Sequence, residues 1–408
     1  MEVSNDIKYI GVNDHSIDLF EGLYQVPRGI SYNSYVILDE KIAVLDTVDG
    51  VFVEQWMDNM EKAVGSAAPD YLIVQHMEPD HSAGIVRFAE KYPEARIVAS
   101  IKAFTMMEHF FGQDFLDRRM VVGDEDILSL GRHKLVLLSA LMVHWPEVVV
   151  TYDSTEKCLF SADAFGTFGA LDDLQAEGER NKAECEAWAE EASRYYFGIV
   201  GKYGISVQKL LQKLAHREIK TICPLHGPIL SENIGDYMER YHTWSSYQPE
   251  KKGVLIAYAS IYGNTRKAAE LLAEKLVAKG VKCVEVRDVA RCDKYEAIAQ
   301  AFRCDRLVLA SPTYNTGVFP PIREFVQELM ERNFSNRTIA FIENGSWMPT
   351  PAKILREKLE QCKGMVFLET SVKIMSALNA ESIEELGILA YELYQLENCR
   401  RTENEICM

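Results

Sequence analysis

Several features that mark large protein classes are missing from this chain of 408 residues. No apolar run approaches the roughly 20 residues that a membrane-spanning helix needs, and the N-terminal residues lack the basic and then apolar stretch of a secretory signal. We therefore expect a cytoplasmic protein that does not enter a membrane. The 44 Lys and Arg are outnumbered by 61 Asp and Glu, which gives a formal net charge of −17 and a pI near 5.1. Nucleic acid is not expected as a partner, because phosphate affinity depends on Lys and Arg.

Paired cysteine motifs are also missing. The nine cysteines are scattered, and none are spaced as CxxC, which excludes the usual zinc-ribbon and rubredoxin ligand patterns from this chain. An odd and dispersed set is typical of free thiols in a reducing compartment. The GxGxxG fingerprint and the P-loop lysine are absent as well. Neither a rubredoxin centre nor an NAD(P) domain is therefore expected.

The length is too great for one ordinary core and predicts two domains. Residues 241–252 have no apolar periodicity and end in proline and charged residues, which indicates a domain exit and a linker. We place the first domain at residues 1–248 and the second at residues 253–396, and we expect a poorly ordered polar tail at residues 397–408. Strands alternate with helices in both halves, which favours an α/β fold.

One stretch has the highest density of candidate metal ligands. An apolar run at residues 71–75, typical of a buried strand, is followed by His76, Glu78, Asp80 and His81. Carboxylates this close together are unfavourable in a low-dielectric site unless a cation offsets their charge. For this stretch alone, a solvated polar loop is the alternative.

Three further candidates follow other strand-like runs, namely His144, Asp163 and His226. Taken singly, either histidine is more often a structural residue, and the sequence at 226–228 also suits an ordinary turn. Taken with the first four, they make seven nitrogen and oxygen ligands near strand ends, where loops can direct them into one cleft. Seven such ligands are enough for two metal ions.

In the second half, three polar, glycine-bearing loops follow predicted strands. Doubly wound sheets bind ligands at the carboxyl ends of their strands, and a helix N-terminus after a strand favours a phosphate. The first loop alone also suits an ordinary capped turn, and either aromatic residue in the other two is more often a packing residue. The candidate ligand-binding residues are Ser260, Ile261, Tyr262, Gly263, Asn264 and Thr265; Pro312, Thr313, Tyr314, Asn315, Thr316 and Gly317; and Gly345, Ser346 and Trp347.

With these residues in this order, the first half resembles the metallo-β-lactamase fold and the second half resembles flavodoxin. Position 78 separates branches of the first family, because hydrolytic zinc members usually have His there. Glu78 with this spacing resembles the flavodiiron proteins. The resemblance implies a metallo-β-lactamase-like αββα sandwich followed by a flavodoxin-like, doubly wound, parallel five-stranded sheet. Tyr262 departs from the Thr or Ser of many flavodoxins but matches a form found in flavodiiron relatives.

The same resemblance implies two non-heme irons and FMN as cofactors. The FMN phosphate would lie at residues 260–265, with the isoalloxazine between the other two loops, and Asp46 would orient the ligand loop. Three ligands for each iron and one bridge are implied: His76, Glu78 and His144; Asp80, His81 and His226; and Asp163.

The implied reaction is reduction of O2 to water, of NO to N2O, or both, as a detoxification in an anaerobe or microaerophile. Electrons would pass through FMN from a separate donor such as rubredoxin or a reductase. The resemblance also implies a head-to-tail homodimer, or a dimer of dimers, in which the FMN of one chain lies beside the irons of the other. Tyr195 or Tyr196 would donate a proton near the site, unless both simply pack a helix.

Two other functions remain open from the sequence. One is a zinc hydrolase of the metallo-β-lactamase superfamily with a flavodoxin-like appendage, against which Glu78 argues. The other is an electron carrier whose metal domain is only a scaffold, against which the complete ligand set argues. The sequence does not rank O2 against NO.

Overall fold

The computed structural model describes the backbone of residues 3–171 and 182–405, and the side chains of residues 3–171 and 189–396. The chain divides into two compact units, Met1–His242 and Thr243–Met408. The division falls within the predicted exit segment at residues 241–252 and before the predicted end of the first domain at residue 248. Within the described ranges, no helix combines the length and the hydropathy required to cross a bilayer.

The first unit contains two facing β-sheets. Its strands are β1 (Ile7–Tyr9), β2 (Val12–Asp14), β3 (Leu19–Phe20), β4 (Tyr24–Gln25), β5 (Ile30–Tyr32), β6 (Tyr35–Ile37), β7 (Ala43–Leu45), β8 (Tyr71–Ile73), β9 (Arg96–Ala99), β10 (Arg119–Val121), β11 (Asp126–Ser129), β12 (Lys134–Ser139), β13 (Val149–Asp153), β14 (Cys158–Phe160) and β15 (Thr221–Cys223). One sheet has the order β1-β6-β7-β8-β9-β10 and the other the order β11-β12-β13-β14-β15. The short strands β2 and β5, and β3 and β4, form two separate ribbons.

The two sheets pack against each other through one apolar core. Tyr35, Leu45 and Ile73 of the first sheet share a buried cluster with Leu137 and Phe160 of the second. Burial of such side chains stabilises the fold by roughly 25 cal/mol per Å² of apolar surface. The helices are α1 (Val53–Val64), α2 (Pro79–Ser82), α3 (Ile85–Lys91), α4 (Ile101–Phe111), α5 (Lys182–Tyr195), α6 (Gly204–Leu214) and α7 (Ile234–Ser245). A π-helical turn at Tyr196–Val200 follows α5. The sequence predicts mostly helix over residues 173–214, of which residues 173–181 lie outside the described residues.

The sequence predicts an unbroken strand over residues 31–38, but the structure divides it between β5 and β6. At the break, two polar side chains form hydrogen bonds with other parts of the chain. The Asn33 side-chain amide donates to the carbonyls of Pro224 and Gly227, both at 2.8 Å. The Ser34 hydroxyl lies 2.9 Å from the carbonyl of Asp46. These hydrogen bonds therefore hold the loop at Pro224 and Gly227 and the segment at Asp46, and both belong to the site described below.

The second unit is built on a parallel sheet. Its strands are β16 (Lys251–Tyr258), β17 (Val284–Asp288), β18 (Cys304–Tyr314), β19 (Gly317–Val318), β20 (Thr338–Gly345) and β21 (Val366–Met375), and its helices are α8 (Asn264–Ala278), α9 (Lys294–Arg303), α10 (Pro320–Glu331), α11 (Pro351–Leu359) and α12 (Ala380–Glu405). The order β17-β16-β18-β20-β21 is parallel throughout. The predicted five-stranded, doubly wound sheet is confirmed, with β19 added as a short antiparallel partner of β18.

The last helix is longer than the sequence suggested. The sequence predicts a helix over residues 381–395 and a poorly ordered tail from residue 397, whereas α12 continues to Glu405. The extension contains Glu, Arg and Asn without Gly or Pro, and Glu and Arg are good helix formers. Residues 406–408 of the predicted tail lie outside the described residues.

Candidate functional site

The ligand loop starts where β8 ends and is held by a buried carboxylate. Asp46 Oδ1 accepts hydrogen bonds from the backbone N–H groups of Gln75, at 2.7 Å, and His76, at 3.2 Å. Its other oxygen accepts from the Gln75 side chain at 2.8 Å. Asp46 has a φ of +55°, a conformation that costs energy for a residue other than glycine. Burial raises the pKa of Asp46 to about 6, against the hydrogen bonds of Gln75.

Four of the predicted ligands form a first group, which contains His76, Glu78, His144 and Asp163. His76 Nε2 lies 3.3 Å from Glu78 Oε2 and 3.2 Å from Asp163 Oδ2. His144 Nε2 lies 3.1 Å from each of the same two oxygens. Two imidazole nitrogens and two carboxylate oxygens thus surround one small volume.

The other three predicted ligands form a second group beside the first, and Asp163 faces both. Asp80 Oδ2 lies 3.4 Å from His81 Nε2 and 3.3 Å from His226 Nε2. Asp163 turns Oδ1 toward this group, 3.4 Å from His81 Nε2, while its Oδ2 belongs to the first group. One carboxylate with an oxygen in each group is the arrangement of a bridge between two cations.

The hydrogen bonds behind the histidines determine which nitrogen faces the site. His226 Nδ1 lies 2.7 Å from the carbonyl of Ser31, which can only accept, so Nδ1 carries the proton and Nε2 presents a lone pair. His76 Nδ1 lies 2.8 Å from the Glu147 carboxylate, which fixes that ring in the same way. Outer partners of this kind orient metal-binding imidazoles.

The donor atoms are arranged to bind cations rather than to form hydrogen bonds with one another. The Nε2 atoms of His81 and His226 are only 3.0 Å apart. Both carboxylate oxygens of Asp80 and the Oδ1 of Asp163 are buried without a hydrogen-bond donor, an arrangement that is costly unless a cation is present. The donor set of imidazole nitrogens and carboxylate oxygens suits iron or other first-row metals.

The charged groups of the site shift one another's pKa values toward the ionised forms. Burial raises the pKa of Asp163, but His76 and His144 outweigh it and hold that pKa well below its usual range. Burial lowers the pKa of His144, but hydrogen bonds to Asp163 and Glu78 raise it to about 9. The Asp163 carboxylate therefore stays ionised and is suited to hold a cation.

Sequence reasoning missed three residues that support or border the site. Glu147 accepts from His76 and, at 2.9 Å, from the backbone N–H of Met77. Ser31 holds His226 through its carbonyl. Glu21, in the exposed turn between β3 and β4, brings a further carboxyl close to Glu78. No local motif marks any of them.

The two predicted tyrosines lie in different surroundings. Tyr195 is fully buried, its ring centroid is 5.6 Å from that of His226, and its hydroxyl has no hydrogen-bond partner. Burial, and then the Asp163 charge, raise the pKa of Tyr195 well above its usual value, so the hydroxyl keeps its proton. Tyr196 packs edge-on against Phe197 and Tyr241.

A second candidate site lies in the second unit, at the carboxyl ends of β16, β18 and β20. A cavity of about 470 Å³ is lined by all the predicted ligand-binding residues except Gly263 and Gly317. Gly317 instead lines a neighbouring cavity, and Gly263 precedes α8 with a φ of +90°. Tyr314 and Trp347 both line the cavity, as the sequence predicts, and Trp347 is 83 % exposed. Lining residues that the sequence reasoning did not include are Asn344, Met348 and Ser376.

The comparisons with known proteins match each unit separately and the chain as a whole. A family model described as ODP family beta lactamase matches residues 30–227, and a flavodoxin domain model matches residues 255–368. A nitric oxide reductase of Moorella thermoacetica is 29% identical over 397 residues, which are 94% of this chain and 96% of the relative.

Solved structures have the same two-unit fold. The rubredoxin oxygen:oxidoreductase of the anaerobe Desulfovibrio gigas matches with a TM-score of 0.87 and 25% identity over 98% of each chain. The flavodiiron protein of Giardia intestinalis matches with a TM-score of 0.87 and 24% identity, over 98% of this chain and 97% of that one. The two family models match in order along one chain, and the relatives match over nearly their full length. The chain therefore combines a beta-lactamase-like unit with a flavodoxin unit and has the two-unit fold of the flavodiiron proteins.

Proposed function

We propose that this chain reduces O2, NO or both at a non-heme diiron centre in its first unit, with electrons delivered through FMN bound by its second unit. The chain is an oxidoreductase, in line with relatives named nitric oxide reductase and rubredoxin oxygen:oxidoreductase. The observation that carries the proposal is Asp163, whose two oxygens face two separate groups of imidazoles and carboxylates. The cavity in the second unit would hold the FMN that delivers the electrons.

The ligand chemistry supports iron over zinc. Glu78 gives the first group a second carboxylate oxygen beside two imidazoles, and oxygen-rich sites suit a metal that changes between Fe(II) and Fe(III). A catalytic zinc site usually has three protein ligands and an activated water. A zinc hydrolase remains the competing function, and metal analysis separates the two.

The residues of the chain have distinct tasks in this reaction. Two irons held by the seven predicted ligands would supply binding and reduction of a small diatomic, and FMN would supply one-electron transfer. Asp163 would hold metal through both of its oxygens, one toward each ligand group. Asp46 and Glu147 hold the ligand loop and the His76 ring in place. Tyr195 keeps a proton on its hydroxyl beside the site and supplies it as charge develops on the substrate.

The electron donor is a separate small redox protein of the rubredoxin type, or a reductase. Support comes from the name of the Desulfovibrio gigas relative, rubredoxin oxygen:oxidoreductase. The working form is a head-to-tail homodimer in the cytoplasm, where it removes O2 or NO for an anaerobe or microaerophile. Light scattering on an active, FMN-loaded sample tests the dimer, and an active monomer would contradict it.

The decisive test is anaerobic loading with Fe(II) and FMN, followed by parallel O2- and NO-electrode assays with one donor. Consumption of at least one gas, abolished when iron is left out, is the expected result. Glu78→His serves as the matched variant, because it replaces the residue that distinguishes this site from zinc hydrolases. A sample that retains zinc, binds no iron and consumes neither gas would overturn the proposal.

A further inference from the structure

A small polar cavity lies in the second unit, at the amino ends of its parallel strands. It has a volume of about 230 Å³ and is lined by Asp305, near the start of β18, and Thr338, at the start of β20. Gln248, which precedes β16, also lines it. Strand β20 runs from Thr338 at this cavity to Gly345 at the flavin cavity, a distance of roughly 23 Å for an extended strand. The cavity is therefore separate from the flavin site, and it belongs to a different unit from the metal groups.

The cavity borders a buried cation. Arg337 lines it and is only 1 % exposed. Its Nη1 donates to the carbonyl oxygens of Tyr247, at 2.8 Å, and Ser335, at 2.7 Å, and its Nη2 donates to that of Phe302. These acceptors are neutral, and among the described residues no carboxylate forms an ion pair with Arg337. Arginines are almost never fully buried unless they are paired, so this one lacks its usual counter-ion.

One donor of this guanidinium is unused. The Nε–H group of Arg337 is buried and has no acceptor within the described ranges, although every N–H of a guanidinium can donate. Burial lowers the pKa of Arg337 to about 10, as expected for a cation that has left water without a paired anion. A buried charge and an unused donor are both costly, and both costs fall if an anion enters the cavity.

Other groups in the cavity complement an oxyanion. The Thr338 hydroxyl and the Gln248 amide form no side-chain hydrogen bonds within the part of the chain that the structure describes, so both can donate to an anion. Asp305 Oδ1 accepts from the backbone N–H of Gly253, at 2.9 Å, and from Arg306 Nε, at 3.0 Å. Asp305 Oδ2 has no donor among these same residues, so it can accept from a protonated ligand oxygen.

We propose that this cavity is a binding site for hydrogen phosphate. Arg337 Nε–H and the Thr338 hydroxyl donate to its oxygens, and hydrogen bonds assisted by charge in this way are strong. The O–H of the phosphate donates to Asp305 Oδ2, which sulfate cannot do because it has no proton at neutral pH. A water takes about 30 Å³, so the cavity has room for a small oxyanion and a few waters, which favours the free ion over a phosphate carried on a larger molecule.

The first test measures the melting temperature of the FMN- and iron-loaded protein in rising phosphate, followed by the fluorescence of released FMN. Because the anion binds the folded second unit, the melting temperature should rise until the site is saturated. Sodium chloride at the same ionic strength should give no such rise, and sulfate should give a smaller one. A rise in sulfate or chloride as large as that in phosphate, or no rise at all, would overturn the proposal.

Hydrogen exchange shows where the phosphate binds. Backbone amides in peptides that contain residues 245–250 and 336–340 should exchange more slowly in phosphate, by about tenfold when phosphate is at about ten times its dissociation constant. Peptides of the first flavin loop, residues 260–265, should not change. Protection at the metal-ligand loop, residues 76–81, with none at residues 336–340 would place the phosphate on iron and would overturn the proposal.

Substitutions in the cavity test the assigned partners. Thr338→Val keeps a β-branched residue at the start of β20 and removes one donor, so it should weaken phosphate binding by roughly tenfold or more. Arg337→Met removes the charge and should abolish binding. Arg323→Met is the matched control, because it removes an exposed arginine of α10 that lies outside the cavity, and it should leave binding unchanged. Unchanged phosphate binding in Thr338→Val, or in a folded Arg337→Met, would overturn the proposal.

Discussion

The two candidate sites of this protein are built by opposite means. In the first unit, His76, His81 and His226 are completely buried, and the loops that carry them are fastened by side-chain hydrogen bonds. In the second unit, Tyr262 and Trp347 are 92 % and 83 % exposed at the rim of an open cavity. One site depends on the identity of each side chain, and the other depends largely on where strands end.

This difference predicts different tolerance to substitution. A buried donor set that is short of positive charge cannot lose one carboxylate without leaving others unbalanced. A cavity formed by backbone at the carboxyl ends of parallel strands keeps its shape when one surface side chain changes. Substitutions ranked from the metal groups to the flavin loops should therefore show steadily smaller effects.

Substitution of Asp163 is expected to have the largest effect on iron binding and activity. Asp163→Ala removes both oxygens that face the two groups, so the loss of iron should exceed the roughly 10- to 100-fold that loss of an outer partner costs, and gas consumption should stop. FMN content, measured by absorbance, should be unchanged. Asp163→Asn, which keeps the size but not the charge, separates packing from bridging. Full turnover by Asp163→Ala would show that the assigned site is wrong.

The same contrast explains what the sequence could predict. Each of the seven candidate ligands follows a recognisable strand, β8 in one sheet and β12, β14 or β15 in the facing sheet, and the loops after these strands bring the ligands together. The flavin loops were predictable for the same reason. Residues such as Glu147 and Ser31 were not, because their role depends on contacts with His76 and His226, 71 and 195 residues away along the chain. Sequence patterns locate strand ends, whereas partners behind a ligand depend on the packed fold.

The break in the strand at residues 33 and 34 has the same cause. Local β-propensity favours an unbroken strand, but Asn33 and Ser34 bond to loops that come from other parts of the chain. Those bonds are invisible in a local pattern, and tertiary contacts override propensity. Within the first unit, these errors of sequence reasoning thus fall at the supports of the metal groups rather than at the groups themselves.

A smaller but still marked effect is expected from the partner behind His76. Glu147→Ala removes the acceptor that fixes the ring and the backbone N–H of Met77, and should weaken iron binding roughly 10- to 100-fold. Glu147→Gln keeps an acceptor oxygen and should lose much less. Iron affinity measured by competition with a chelator distinguishes the two. Equal losses in both variants would show that charge, rather than ring orientation, is what Glu147 supplies.

The flavin site should respond more weakly. Trp347→Ala removes an aromatic face from the cavity, and loss of aromatic packing of about 1 kcal/mol corresponds to roughly fivefold weaker FMN binding. Trp347→Phe should recover most of it. Iron content should stay constant in both variants, which would show that the two sites are independent. A loss of iron in Trp347→Ala would break the comparison, because it would couple a flavin-loop side chain to the metal groups.

The smallest effect comes from the backbone of the first flavin loop. Gly263 has a φ of +90°, and its N–H lies 3.0 Å from the Ser260 hydroxyl. No atom would contact an added Cβ, so Gly263→Ala carries a conformational cost alone, about 1 kcal/mol. That cost should weaken FMN binding a few-fold, or lower the melting temperature if the loop keeps its shape. Gly387→Ala, within α12 and without a positive φ, is the matched control and should stabilise the second unit by up to about 1 kcal/mol. Because the two variants add the same methyl group, opposite signs would show that the loop conformation, rather than the space around it, requires glycine at position 263.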